Sequence, residues 1–93
     1  MEAFGSALPA VLAELLRGGP LSPAKLEFAW KAVVGPALER VTTPRLEGRV
    51  VVVDAASPQW AREVSRSKDV ILGRLRALLG EGAVSRLDVR PRP

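Results

Sequence analysis

Four consecutive valines, Val50, Val51, Val52 and Val53, constrain the fold more than any other stretch of the chain. Their β-branched side chains favour extended backbone, and successive side chains of a strand point to opposite faces. A strand that is apolar on both faces belongs in the middle of a sheet. Residues 41–46 and 49–55 flank Glu47-Gly48, a two-residue connection where glycine supplies positive φ, so the spacing predicts a β-hairpin. Pro44 has no N–H to donate, which suits the first of these strands to a sheet edge.

Around the hairpin the period is helical. A first helix is predicted over residues 6–17, with Ser6 as cap, Pro9 in the first turn and Gly18-Gly19 as the stop. Leu8, Val11, Leu12, Leu15 and Leu16 form its apolar stripe. Ser22-Pro23 starts a second helix, whose Leu26, Ala29, Trp30 and Val33 face inward; Gly35-Pro36 breaks it, and residues 36–40 add one turn. Ser57-Pro58 repeats the cap-then-proline start and opens the longest predicted helix, residues 58–79. At 1.5 Å per residue this helix extends about 33 Å, with Trp60, Val64, Ile71, Leu75 and Leu78 as its seam and Gly80-Glu81-Gly82 as its stop. Residues 84–90 read as a last strand, with Leu87 and Val89 on one face and Arg86, Asp88 and Arg90 on the other.

The predicted order is helix, helix, strand, strand, helix, strand. The second and last strands should be parallel and joined by a right-handed crossover, with the helices covering one face of a three-stranded sheet. This is an α+β architecture. At 93 residues and 47% apolar content the chain is expected to form one small domain over 1–93, with its core at about 6–90.

Composition narrows the chemistry. With no His and no Cys, imidazole bases, thiol nucleophiles, zinc fingers and disulfides are excluded. The acids are scattered singly, so no metal or other cofactor is expected, nor a small-molecule substrate, and the chain reads as a non-enzyme. Ser65-Arg66-Ser67-Lys68 has the Ser-x-x-Lys spacing of penicillin-recognising enzymes but lies mid-helix without oxyanion donors. No apolar run approaches the roughly 20 residues of a membrane span, and the first residues lack the pattern of a signal peptide. No membrane partner is expected, and the expected location is the cytoplasm.

The net charge of +4 is unevenly placed. Residues 1–56 balance six basic groups with six acidic ones, whereas residues 57–93 hold eight basic and four acidic groups. Eleven of the fourteen cations are Arg, suited to forked contacts with phosphate or carboxylate. On a continuous helix Arg62, Arg66 and Arg76 fall on one side, opposite the Trp60/Ile71/Leu78 seam. Arg86 and Arg90 share a strand face, and Arg45 or Arg49 of the hairpin extends the cationic strip if the register allows. These seven arginines are the candidate nucleic-acid contacts, or else they form an ordinary solvated face. Phe28, between Lys25 and Lys31 on the helical wheel, is a candidate partner contact, or else it packs under a neighbouring helix. Gly73 weakens its helix, and close approach by another backbone is one reason for a glycine there. Trp30 and Trp60 both read as core anchors.

Two tryptophan-centred segments carry a resemblance. The first is Phe28-Ala29-Trp30-Lys31-Ala32-Val33-Val34-Gly35-Pro36-Ala37-Leu38. The second is Leu46-Glu47-Gly48-Arg49-Val50-Val51-Val52-Val53, running on into Ser57-Pro58-Gln59-Trp60-Ala61-Arg62-Glu63-Val64. Together, with Thr43 and Pro44 between them, they resemble the DciA family over roughly residues 5–90. The resemblance implies a fold like the type II K-homology domain, contact with the DnaB-type replicative helicase, and affinity for single-stranded DNA. The Gly-x-x-Gly loop with which K-homology domains clamp a nucleic-acid backbone is missing. Many family members continue into a flexible tail that helps engage the helicase; here the sequence ends at Pro91-Arg92-Pro93. The expected function is a replication accessory protein that binds helicase and DNA through an Arg-rich surface. A protein-only adaptor for an acidic partner surface and a K-homology-like RNA-binding module are the alternatives.

Overall fold

The computed structural model describes residues 21–92, so the helix predicted over 6–17 lies outside the described residues. The elements are α1 (Pro23–Glu39), β1 (Thr42–Glu47), β2 (Val50–Ala55), α2 (Pro58–Arg66), α3 (Lys68–Leu79) and β3 (Arg86–Pro91). The strands form one sheet in the order β1-β2-β3. β1 runs antiparallel to β2, with Thr42 opposite Ala55 and Glu47 opposite Val50. β3 runs parallel to β2, with Val50 opposite Arg86 and Val53 opposite Val89. The valine run is therefore the central strand, as its two apolar faces require, and Val51, Val52 and Val53 are all buried. Pro44 lies on the edge strand β1.

The hairpin turn is Gly48-Arg49, one residue further along than the predicted Glu47-Gly48. Gly48 takes φ of 63°, and no non-glycine residue has positive φ. Glycine in the first central position gives the II′ form, whose twist matches that of the flanking strands. β3 starts at Arg86 rather than 84, because Val84 is buried in the preceding loop and its carbonyl accepts from a side chain. At the other end Pro91 stands opposite Ala55 without an N–H to give. The Arg92 N–H bonds the Ala55 carbonyl instead, at 2.7 Å.

Both proline-started helices are capped as predicted. The Ser22 hydroxyl accepts from the Lys25 N–H at 3.2 Å and Ser57 from the Trp60 N–H at 3.2 Å. α1 is interrupted at Gly35 (φ 82°, ψ 172°), immediately before Pro36, where the sequence predicts a break. Leu26, Ala29, Trp30 and Val33 of α1 pack against Val51 and Val53 of β2, Ile71 and Leu75 of α3, and Leu87 of β3.

Two expectations are corrected. The helix predicted to run unbroken over 58–79 is two helices, interrupted at Ser67 (φ −101°, ψ 12°). A straight helix of that length would extend about 33 Å, whereas strands of six residues provide a sheet only about 20 Å long. Bending at Ser67 lets α2 lie on β2 and β3 while α3 packs against α1. Serine is a cheap place for the bend, because its hydroxyl competes for backbone hydrogen bonds. The second correction concerns Trp60, which is 38% exposed and does not anchor the core. Ala61 and Val64 set the inward direction of α2, and Trp60 lies about 70° from it on the wheel.

Trp30 does anchor the core. Its Nε1–H donates to Thr42 Oγ1 at 2.9 Å, and the Thr42 hydroxyl donates to the Leu38 carbonyl at 2.5 Å. This relay ties the middle and last turn of α1 to the first residue of β1. Thr42→Val leaves the buried indole N–H without its acceptor and should lower the unfolding free energy by about 1–3 kcal/mol. Urea denaturation measures this, and an unchanged midpoint would show that the relay contributes nothing.

Candidate nucleic-acid and partner interface

The helices of the described chain pack on the side of the sheet that carries Val51, Val53 and Leu87. The alternation of period two therefore sends Thr43, Arg45 and Glu47 of β1, Val50, Val52 and Asp54 of β2, and Arg86, Asp88 and Arg90 of β3 to the opposite face. The register that sequence leaves open is thus resolved: Arg45 shares a face with Arg86 and Arg90, and Arg49 lies in the turn. Arg45 is held between two carboxylates, bonding Glu47 at 2.9 Å and also Asp54. The hydrogen bond that Arg45 donates to Glu47 is the main cause holding its guanidinium above its ordinary pKa, and the charge of Asp54 adds to it. Arg90 pairs with Asp88 at 3.1 Å, and Arg92 donates to Thr43 Oγ1 at 2.9 Å. Arg86 is exposed and makes no side-chain hydrogen bond among the described residues. Positive and negative groups alternate across this face.

Arg62 and Arg66 stand on the other layer. On α2, Ala61 and Val64 are buried and both arginines point outward. Arg66 bonds Glu63 at 3.2 Å, with the two side chains 73% and 53% exposed. A pair this open contributes only about 0–1 kcal/mol, so an incoming phosphate can displace the carboxylate. Arg62 has no such partner among the described residues. Beside them Gln59, Trp60 and Glu63 line a shallow hollow.

Arg76 and Arg49 hold the fold together. Arg76, on α3 beyond the bend at Ser67, donates from Nε to the Val84 carbonyl at 3.0 Å and from Nη2 to the Ser85 carbonyl at 2.8 Å. Arg49 Nε donates to the Gly82 carbonyl at 2.9 Å, while Ser85 returns bonds from its N–H (2.7 Å) and hydroxyl (3.1 Å) to the Arg49 carbonyl. Two guanidinium groups therefore pin the loop between α3 and β3.

The candidate partner contacts lie on α1 and α3. Phe28 is 45% exposed rather than packed beneath a neighbouring helix among the described residues. Lys31 is exposed and Lys25 half-buried. Gly73 is on the open side of α3, with no described atom within 4 Å of where a Cβ would stand. A second hollow, between α1 and β1, is lined by two acids, Glu27 and Glu39, against one base, Arg40, and so suits an anion poorly. Among the described residues no acidic cluster could hold a metal, and no helix is long and apolar enough to cross a membrane.

The two kinds of arginine should separate by substitution. Arg76→Ala should reduce stability by about 1–2 kcal/mol, because it strips two carbonyls of a charged donor. Arg62→Ala should stay within about 0.5 kcal/mol of wild type. Thermal denaturation of both variants is the check, and equal losses would erase the distinction.

A family model described as Dna[CI] antecedent, DciA, matches residues 3–89 of the chain. No curated protein matches it.

Proposed function

The chain belongs to the DciA family, which is associated with loading of the DnaB helicase in replication, and from that premise we propose a non-enzymatic accessory protein that docks on the replicative helicase and holds nearby single-stranded DNA. The observation that carries this reading is the family match across nearly the whole chain. The distribution of arginines supports the DNA part. Arg62 and Arg66 project from α2, which packs over the edge strand β3, and Arg86 and Arg90 project from the far face of that same strand. A flexible single strand can pass round the β3 edge and meet both pairs. Duplex DNA, with a persistence length of about 50 nm, bends that sharply only at considerable energetic cost.

Of the seven candidate arginines, these four form the proposed phosphate-contacting set. Arg45 already lies between two carboxylates, and Arg49 and Arg76 hold loop carbonyls. Attraction is electrostatic, each neutralised phosphate releasing counterion, so binding should weaken steeply with salt. With three or four contacts at about 0.7 per contact on single strands, log K against log salt should slope about −2 to −3. A flat titration, or no binding at low salt, rejects the DNA-holding role.

One observation favours the protein-only adaptor as a second reading. Arg45, Arg66 and Arg90 each already bond a carboxylate of the chain, so this surface accepts acidic side chains readily. Joint substitution Arg62→Glu and Arg66→Glu discriminates between the two. Loss of DNA binding with helicase pull-down retained supports the DNA holder; the reverse outcome supports the adaptor.

A further inference from the structure

Three large apolar side chains on the helical layer are exposed, Phe28 of α1 at 45%, Val70 of α3 at 51% and Trp60 of α2 at 38%, and the first two lie on helices that pack against each other. Buried residues set the inward direction of each helix: Leu26, Trp30 and Val33 on α1, Ile71, Leu75 and Leu79 on α3. At about 100° per residue, Phe28 points directly away from the core and Val70 lies about 140° from the inward direction. α1 packs against α3. The register puts the start of β1 at the end of the sheet where β2 finishes, and the start of β3 at the opposite end. α1 leads into β1 and α3 leads into β3 at opposite ends of the sheet, and the two helices pack against each other.

The charge around this surface is positive by a small excess, with Lys25, Lys31 and Arg74 against Asp69 and the exposed Glu27 beside Lys31. Lys25 and Lys31 flank Phe28 at about 60° on either side, and Arg74 lies next to Val70 around α3. Asp69 is the acidic group on the outward side of α3. We propose that the α1–α3 face docks an amphipathic helix with an acidic border, presented by the helicase; the proposal rests on the family reading given above. Phe28 and Val70 supply the apolar anchors, and the lysines pair with the acidic border of the incoming helix. Gly73 lies about 60° from Val70 around α3. Its side of the helix is open within the described chain, so a side chain there would meet only a partner.

Gly73→Leu tests this, using the full chain and the purified hexameric helicase, with oligonucleotide binding as a control. Leucine is a far better helix former than glycine and meets open space. The melting temperature should therefore hold or rise, while helicase affinity falls at least tenfold and DNA affinity is unchanged. Phe28→Ser, which alters no buried position, should weaken helicase binding at least fivefold, and Lys31→Glu should do so more strongly at low salt than at high. Wild-type affinity in both Gly73→Leu and Phe28→Ser overturns the proposed face. A lowered melting temperature in Gly73→Leu would mean that the chain's own residues 6–17 cover it, which also overturns the proposal. A wild-type dimer that Gly73→Leu dissociates would replace the helicase helix with a second copy. A wild-type chain that does not bind helicase at all fails the family-based reading itself, a different result from losing binding only in the variants.

Discussion

The parallel pairing of β2 with β3 governs the rest of the molecule. Parallel neighbours need a crossover, and α2 with α3 provides it on the side of the sheet where α1 already lies. With the described helices on one side, each strand sends alternate side chains toward them and to the opposite face, where the arginines are exposed while Val52 is buried. Leu87 and Val89 of β3 go inward and its arginines outward. On α2 the direction is reversed, since its arginines point away from the sheet. Two cationic groups therefore arise on opposite layers and come nearest each other around the β3 edge.

Net charge alone is a poor guide to this surface. Its arginines divide by what they touch: loop carbonyls for Arg49 and Arg76, two carboxylates for Arg45, one exposed carboxylate each for Arg66 and Arg90. A guanidinium that bonds carbonyls keeps its charge but gives up directed donors, while an exposed ion pair yields to a better partner at small cost. Availability, more than number, determines which arginines can serve a ligand.

Local chemistry made much of this legible before any coordinates. The valine run, Pro44, the two Ser-Pro starts and Gly35-Pro36 each act within a few residues, and each does what its neighbours in sequence imply. The bend at Ser67 was hidden for a physical reason: Val64, Ile71, Leu75 and Leu79 keep a single helical phase across it, and the constraint comes from the length of a sheet formed elsewhere. Trp60 shares the helical phase of that seam, yet it sits at the margin of the buried side of α2, where only tertiary packing decides its exposure. The roles of Arg49 and Arg76 depend on carbonyls of a loop whose path only tertiary structure defines. Alternation placed Arg86 and Arg90 correctly on one face, but bringing Arg45 beside them required a register that the displaced turn also decides.

Amide chemical-shift mapping tests the central claim most directly, with isotope-labelled protein titrated by a short oligothymidylate at low salt. If one strand passes round the β3 edge, the amides of residues 60–66 and 86–90 should shift together and saturate at the same oligonucleotide concentration. Shifts confined to one of these segments, or centred on the hairpin residues 45–49, would contradict the account.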